Sequence, residues 1–418
     1  MKLFHAADLH IDSPLRGLEQ YEGAPIAQLR NATRRALERL VDACLDEEAA
    51  VMLLAGDIFD GDWRDYSTGL FFAAQMARLR EAGTRVVMLR GNHDAQSQIS
   101  KELRLPENVR ELHTRRPESV IFDDLGLAVH GQGFATRDVT DDLANRYPGP
   151  TPGLFNVGLL HTSLTGRPGH EPYAPSTLEV LRGKGYDYWA LGHVHTREVV
   201  CQDPWVVFPG NLQGRHVREP GAKGATVITI ENNRVTEVRH EAFDTVRWGV
   251  CRIDARPAAD PHDVVELVRA ELTRQAADAG SRLLAARIVI SGRTRAHAGL
   301  VRDPEHWTAQ LRACAFDIGD GSVWLERVQF KTQDERNAPP APGEDALGQL
   351  VRAFDQALRD PAALLELGAT FSDLKHRLPA LASAGEDGVR FDDPTFLAES
   401  LEDARELLLA RLLDQEPT

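Results

Sequence analysis

A chain of 418 residues with 42% hydrophobic and 27% charged side chains has the make-up of an ordinary folded protein, and it is longer than one core usually fills. No apolar run approaches the roughly 20 residues of a spanning helix, and the opening Met1-Lys2-Leu3-Phe4-His5 runs directly to Asp8 and Asp12 without the apolar stretch of a secretion signal, so no membrane role and a cytoplasmic location are expected. The net charge of −15 argues against a nucleic-acid ligand, but residues 341–418 hold 16 acidic and 7 basic residues, which leaves only −6 on the rest, and bound metal would offset part of that.

From the N-terminus, buried-strand runs come first: Leu3 to Ala7, Val51 to Ala55, Val86 to Leu89, Val157 to Leu160, Tyr188 to Leu191 and Val206 to Phe208. Helical stretches alternate with them, and in one of these Leu29, Ala36, Leu37, Leu40, Val41 and Cys44 form the apolar stripe that faces a sheet. The spacing predicts a layered α/β domain over residues 1–244, closed by a hairpin around Asn232-Asn233. Residues 245–336 read as a smaller α/β unit whose two helices open with Asp260-Pro261 and Asp303-Pro304, each a capping carboxylate followed by proline at the first helical position. The run from Asn337 to Gly343 has the proline density of a linker, and residues 337–418 continue as a helical segment with stripes Leu347 to Leu358 and Leu397 to Leu412. The cysteines at 44, 201, 251 and 314 are too scattered for a CxxC pair and read as small core residues.

Chemistry-bearing residues stand directly after the apolar runs. Asp8 and His10 follow the first, Gly56-Asp57 the second, Gly91-Asn92-His93-Asp94 the third, His161 the fourth and Gly192-His193-Val194-His195 the fifth. Loops at the carboxyl ends of strands converge in α/β folds, so residues distant in sequence can meet there. Each motif alone has a bland alternative: a capping Asp, an ordinary turn, two surface imidazoles. Their joint occurrence after successive strands points instead to a site for two divalent ions, and a donor set mixing imidazole, carboxylate and amide suits Mn²⁺, Fe²⁺ or Zn²⁺ better than Mg²⁺. Other histidines, such as His113 and His240, read as solvated or structural.

In their order these motifs resemble the calcineurin-like metallophosphoesterase superfamily. Within it the chain resembles SbcD-type nuclease subunits of double-strand-break repair, most of all the bacterial YhaO branch, through Phe4 to Pro14 and Pro209-Gly-Asn-Leu-Gln-Gly-Arg-His216. The motif resemblance covers residues 1 to about 230. It implies an α-β-β-α sandwich, with one ion held by Asp8, His10 and His195, a second by Asn92, His161 and His193, and Asp57 bridging. His93 would serve the phosphate or the departing oxygen, with Asp94 as its orienting partner, while water activated by the ions attacks. Where archaeal and eukaryotic relatives carry a histidine three residues after the bridging Asp, this chain has Asp60, so that histidine's role does not transfer. Arg215 and His216 are candidate contacts for a substrate phosphate, and Asp12 a candidate partner for a ligating histidine.

The resemblance further implies DNA as substrate, Mn²⁺ as metal, 3′-to-5′ exonuclease or endonuclease action in repair, a homodimer, and docking of the C-terminal helices on an SbcC-like or YhaN-like coiled-coil ATPase. Two alternatives are a phosphodiesterase or phosphatase acting on small or protein substrates through the same site, and a binding scaffold with a dead site. The complete ligand set counts against the last.

Overall fold

The computed structural model describes the chain except residues 15–22, 61–65, 96–102, 165–172, 320, 336–345, 372–373, 375–390, 392 and 414–418. The proline-rich run expected as a linker, 337–343, lies outside the described residues. Two compact units emerge: one reaches Gly249 and includes Ser281–Ala285, and the other holds Val250–Gly280 and Ala286–Thr418.

The first unit is a sandwich of two six-stranded sheets. Its first sheet holds β1 (Lys2–Ala6), β2 (Val51–Leu54), β3 (Arg85–Met88), β4 (Val109–Glu111), β11 (Gly224–Glu231) and β12 (Arg234–Ala242), in the order β12-β11-β1-β2-β3-β4. β1 to β4 run parallel, and the hairpin β11–β12 closes the far edge antiparallel. The second sheet, β5 (Glu118–Phe122), β6 (Leu127–Gly131), β7 (Phe155–His161), β8 (Tyr188–Gly192), β9 (Glu198–Gln202) and β10 (Trp205–Phe208), has the order β5-β6-β7-β8-β10-β9 with β6, β7, β8 and β10 parallel. β4, β5, β6 and β9 have no counterpart among the expected strands. β4, β5 and β9 lie at sheet edges and lack the continuous apolar run of a strand buried on both faces, whereas β6 is interior and fully buried, its apolar run Leu127-Ala128-Val129 being only three residues long before His130.

Alternation along each strand distributes the core. Phe4, Met52, Leu54, Val86 and Met88 pack on the stripe Ala36, Leu37, Leu40, Val41 and Cys44 of the helix Ala32–Asp46, and on Phe72, Met76 and Leu79 of the helix Tyr66–Glu81. Their neighbours Leu3, Val51, Leu53 and Val87 face the other sheet, meeting Val129, Val157, Leu159, Tyr188 and Val207. Trp189, Leu191, Val206 and Phe208 pack outward under Tyr147, Leu181 and Tyr186. The layers are helix, sheet, sheet and helix, the α-β-β-α sandwich that the resemblance implies. Leu29 of the expected stripe sits on a separate short helix, Ile26–Arg30, which ends at Asn31.

A three-stranded sheet of β13 (Val246–Asp254), β14 (Leu283–Thr294) and β15 (Val323–Asp334), in that order, has most of its residues in the second unit, with the helices Pro261–Ala279 and Pro304–Gly319. Asp260 caps the first helix as its sequence predicts, accepting from the amides of His262 at 2.8 Å and Asp263 at 3.2 Å. The helices Ala346–Leu358, Pro361–Thr370 and Pro394–Leu413 pack on one another, burying Val351, Leu364 and Leu397, and the last also touches the helix His297–Arg302. No described helix is long and apolar enough to cross a membrane.

Candidate metal centre

The loops that leave β1, β2, β3, β7 and β8 meet at one edge of the sandwich. Their backbones are unusual: Asp8, His10, Asp57 and His193 all adopt positive φ, at 53°, 42°, 53° and 99°. A non-glycine residue in that region costs about 1–3 kcal/mol and persists only where its surroundings enforce it. Two glycines permit the close approach. A Cβ on Gly192 would lie 2.0 Å from the carbonyl oxygen of Ala55, and one on Gly91 would lie 2.2 Å from Asp57 Oδ1. The second sheet can therefore bring its histidines onto the first sheet's carboxylates.

Two clusters result, each with potential ligand atoms within 4.8 Å of one another: Asp8, His10 and His195, and Asp57, His161 and His193; a third, more exposed set of the same span joins His10 to Asp60 and His93. Asn92 joins the second, its Oδ1 being 2.9 Å from His161 Nε2. Asp57 Oδ2 stands between the clusters, 3.5 Å from His161 Nε2 and 3.9 Å from His10 Nε2. The backbone amide of His193 donates to Asp8 Oδ2 at 2.9 Å, and that of His93 donates to Asp57 Oδ1 at 2.9 Å.

The pattern of protons fits bound cations. His161 Nδ1 lies 2.8 Å from the Ala55 carbonyl, which can only accept, so Nδ1 carries the proton and Nε2 turns a lone pair toward the oxygens of Asn92 and Asp57. His195 Nδ1 likewise donates to Glu219 Oε1 at 2.6 Å, which leaves its Nε2 facing His10 Nε2 at 3.3 Å. Burial keeps the His10 imidazole well below its usual pKa and lowers that of His161, so both stay neutral donors. Burial and then the charge of Asp57 raise the Asp8 carboxyl well above the carboxylate range. Lone pairs converging at buried positions, with neighbouring carboxylates repelling each other, are what divalent ions resolve.

His93 differs from the ligands. Its side chain is 36% exposed, against 1% for His10 and 0% for His161, and its ring stands edge-on to that of His10 at 4.9 Å. Its partner is Asp60, not Asp94: Nδ1 lies 2.7 Å from Asp60 Oδ1. Burial opposes protonation of His93, but the hydrogen bond to Asp60 and the charges of Asp57 and Asp60 outweigh it, and the pKa rises. Asp60 is in turn depressed to about 2: burial works against its charge, and the bonds from His93 and from the Ser13 hydroxyl, at 2.5 Å, overcome it.

Asp94 instead binds backbone. Buried, it accepts from the amides of Phe59 at 2.9 Å and of Ile58 and Gly91 at 3.1 Å, tying the Asp57 loop to the Asn92 loop. Asp12 also departs from expectation, since its carboxylate is taken by Arg34, with Nε at 2.8 Å, and by the Thr68 hydroxyl rather than by a ligating histidine. Arg215 reaches toward Asp60 and Glu219, each at 3.5 Å, and His216 Nε2 stands 3.8 Å from Glu219. Glu219 is the residue that the sequence reading missed. It lies 24 positions beyond His195, and no spacing rule links the two.

Residues 1–197 match the family model described as Calcineurin-like phosphoesterase, and residues 248–333 match Metallophosphoesterase YhaO, middle domain. The uncharacterized metallophosphoesterase YhaO of Bacillus subtilis is 35% identical over 272 residues, covering 64% of this chain and 66% of the relative. The DNA double-strand break repair protein Mre11 of Methanopyrus kandleri is 28% identical over 50% of this chain and 48% of its own length. That of Haloferax volcanii is 23% identical over 60% and 54%. The chain thus spans from about half to about two thirds of the length of these curated relatives.

Proposed function

Given that this chain carries a calcineurin-like metallophosphoesterase domain, we propose that it is a two-metal DNA nuclease that hydrolyses phosphodiester bonds in repair. The observation that carries the reading is the His93–Asp60 pair standing open beside two buried ligand clusters. Asp8, His10 and His195 would hold one ion and Asn92, His161 and His193 the other, with Asp57 shared. When bound, such ions neutralise the phosphoryl oxygens and supply an activated water. His93, fixed by Asp60 through Nδ1, would offer Nε2–H to the departing oxygen, a role worth roughly 10²–10⁴ in rate. DNA is favoured over a small substrate because the archaeal relatives are named as double-strand break repair proteins.

Finer parts of the reading rest on chemistry and resemblance. The mixed imidazole, carboxylate and amide donor set suits Mn²⁺, Fe²⁺ or Zn²⁺, and the choice of Mn²⁺ among them comes from the family resemblance alone. Strand polarity, expected as 3′-to-5′, comes from the family alone. Apolar side chains left exposed on the C-terminal helices, Leu365, Leu367 and Leu408, support docking on a coiled-coil ATPase partner, and the cytoplasm is the expected compartment. The test is hydrolysis of end-labelled duplex and single-stranded DNA with Mn²⁺, beside bis-p-nitrophenyl phosphate. Cleavage of DNA abolished by His93→Gln supports the nuclease. Turnover of the small diester with DNA untouched would favour the small-substrate alternative.

A further inference from the structure

The two halves of the centre are built from unequal donors, and we infer that Glu219 makes the Asp8–His10–His195 site the tighter of two metal sites, filled first and emptied last. The inference rests on the two-metal reading above but not on DNA being the substrate. Its geometric basis is what stands behind one imidazole of each site, His195 in the first and His161 in the second. Behind His195 is a carboxylate: Glu219 Oε1 accepts the Nδ1 proton at 2.6 Å. Behind His161 is a neutral backbone carbonyl, that of Ala55, at 2.8 Å. A carboxylate there raises the basicity of the ligating nitrogen and fixes the ring, and loss of such a partner typically costs 10–100-fold in metal affinity.

The ligands differ in the same direction. The first site has Asp8 of its own in addition to the shared Asp57, whereas the second has the neutral amide of Asn92 in the corresponding place. More anionic oxygen at one ion means tighter binding there.

Glu219 is built in. Its side chain is 7% exposed, and its other oxygen, Oε2, accepts from the Arg215 amide at 2.7 Å and from Asn211 Nδ2 at 3.0 Å. The Arg215 guanidinium lies 3.5 Å from Oε1, where it pairs with the carboxylate and draws off part of its charge. The backbone of the same loop is tied back to the ligand, since Lys223 Nζ donates to the His195 carbonyl at 2.7 Å. Glu219 is thus a positioning residue, acting through His195 rather than on phosphate. Arg215, whose side chain is 15% exposed, serves the same strut and the Asp60 side together.

Calorimetric titration of metal-stripped full-length protein with Mn²⁺ reads this without any turnover. Wild type should show two separable events, the tighter one absent in His195→Ala and the weaker one absent in Asn92→Ala. Glu219→Gln keeps the shape and removes the charge; it should weaken the tight event by about 10- to 100-fold and leave the weak one in place. Thermal unfolding of the metal-free variant separates this from misfolding. If Glu219→Gln does not fold, the two ligand variants still decide the order of the sites. Reversed assignment, a single class of equal sites, or equal weakening of both events in Glu219→Gln would overturn the inference while leaving the two-metal site intact. Absence of any Mn²⁺ binding in wild type would sink the proposed function instead.

Discussion

At the carboxyl ends of β1, β2, β3, β7 and β8, buried polar side chains answer one another: Asp94 takes three amides, His161 takes a carbonyl, and His195 takes a carboxylate. Along the helices Ala346–Leu358, Pro361–Thr370 and Pro394–Leu413 the reverse holds, with Val351, Leu364 and Leu397 buried among neighbours while Leu365, Leu367 and Leu408 remain exposed. The difference bears on how function can be read. Buried donors and acceptors are costly unless each is satisfied, so their arrangement limits the ligands that fit. An apolar stripe is satisfied by any surface of the right shape, so it limits the partner far less.

The contrast breaks most sharply if the polar cluster can lose a member and keep its ions. Asp57→Asn leaves an oxygen to accept the His93 amide, now at 2.9 Å, so the loop should fold, but the shared charge is gone. Hydrolysis should fall to background and metal content drop below two ions per chain by atomic absorption. Full activity with both ions retained would refute the cluster as the site. Next in size is His93→Gln, which should keep two ions and lower turnover on DNA by roughly 10² or more, the scale for losing an acid. Metal loss as large as that in Asp57→Asn would make His93 a ligand.

A smaller effect tests the frame beneath the ligands. Burial, and then the charge of Asp57, push the Asp94 carboxyl up to about 7, above its unfolded value near 3.8. A group raised on folding contributes stability that is present at low pH and lost as pH climbs through its folded pKa. Metal-free wild type should therefore lose melting temperature, relative to Asp94→Asn, as pH rises from about 4 to about 7. Divalent ions beside Asp57 should flatten that difference by removing the repulsion. A pH-independent gap between the two proteins would mean that Asp94 does not titrate in the fold.

Legibility in the sequence follows the same division. The clustered side chains could be read because each follows an apolar run, and β1, β2, β3, β7 and β8 are buried on both faces and hence nearly continuous in hydrophobicity. What supports the ligands could not. Asp60 stands three residues past Asp57 and was read only as a departure, since nothing local says that His93, 33 positions on, will turn its Nδ1 to it. Asp12 reads in the sequence as a candidate partner for a histidine, yet its φ of 56° and the arrival of Arg34 and Thr68 from two helices decide otherwise. Such contacts are properties of the assembled loops, not of motif spacing.

The smallest effect on hydrolysis is expected at the C-terminal helices, and it matters because it separates the two regions outright. β15 runs to Asp334, so a truncation that keeps the strand whole follows Glu335. The helices beyond it pack on one another, with Arg405 Nη1 bonded to Asp355 Oδ1 at 3.0 Å across helix partners. The ligand clusters lie wholly within the first unit, whereas these helices belong to the second. Truncated protein should then hydrolyse bis-p-nitrophenyl phosphate within about twofold of wild type, since no residue of the centre is removed, and should fail to copurify with the coiled-coil ATPase proposed as its partner. Retained copurification would place the docking surface elsewhere. Loss of hydrolysis with a folded first unit would mean that the segment supports the centre, and the contrast between a closed polar site and an open apolar one would no longer divide the molecule by function.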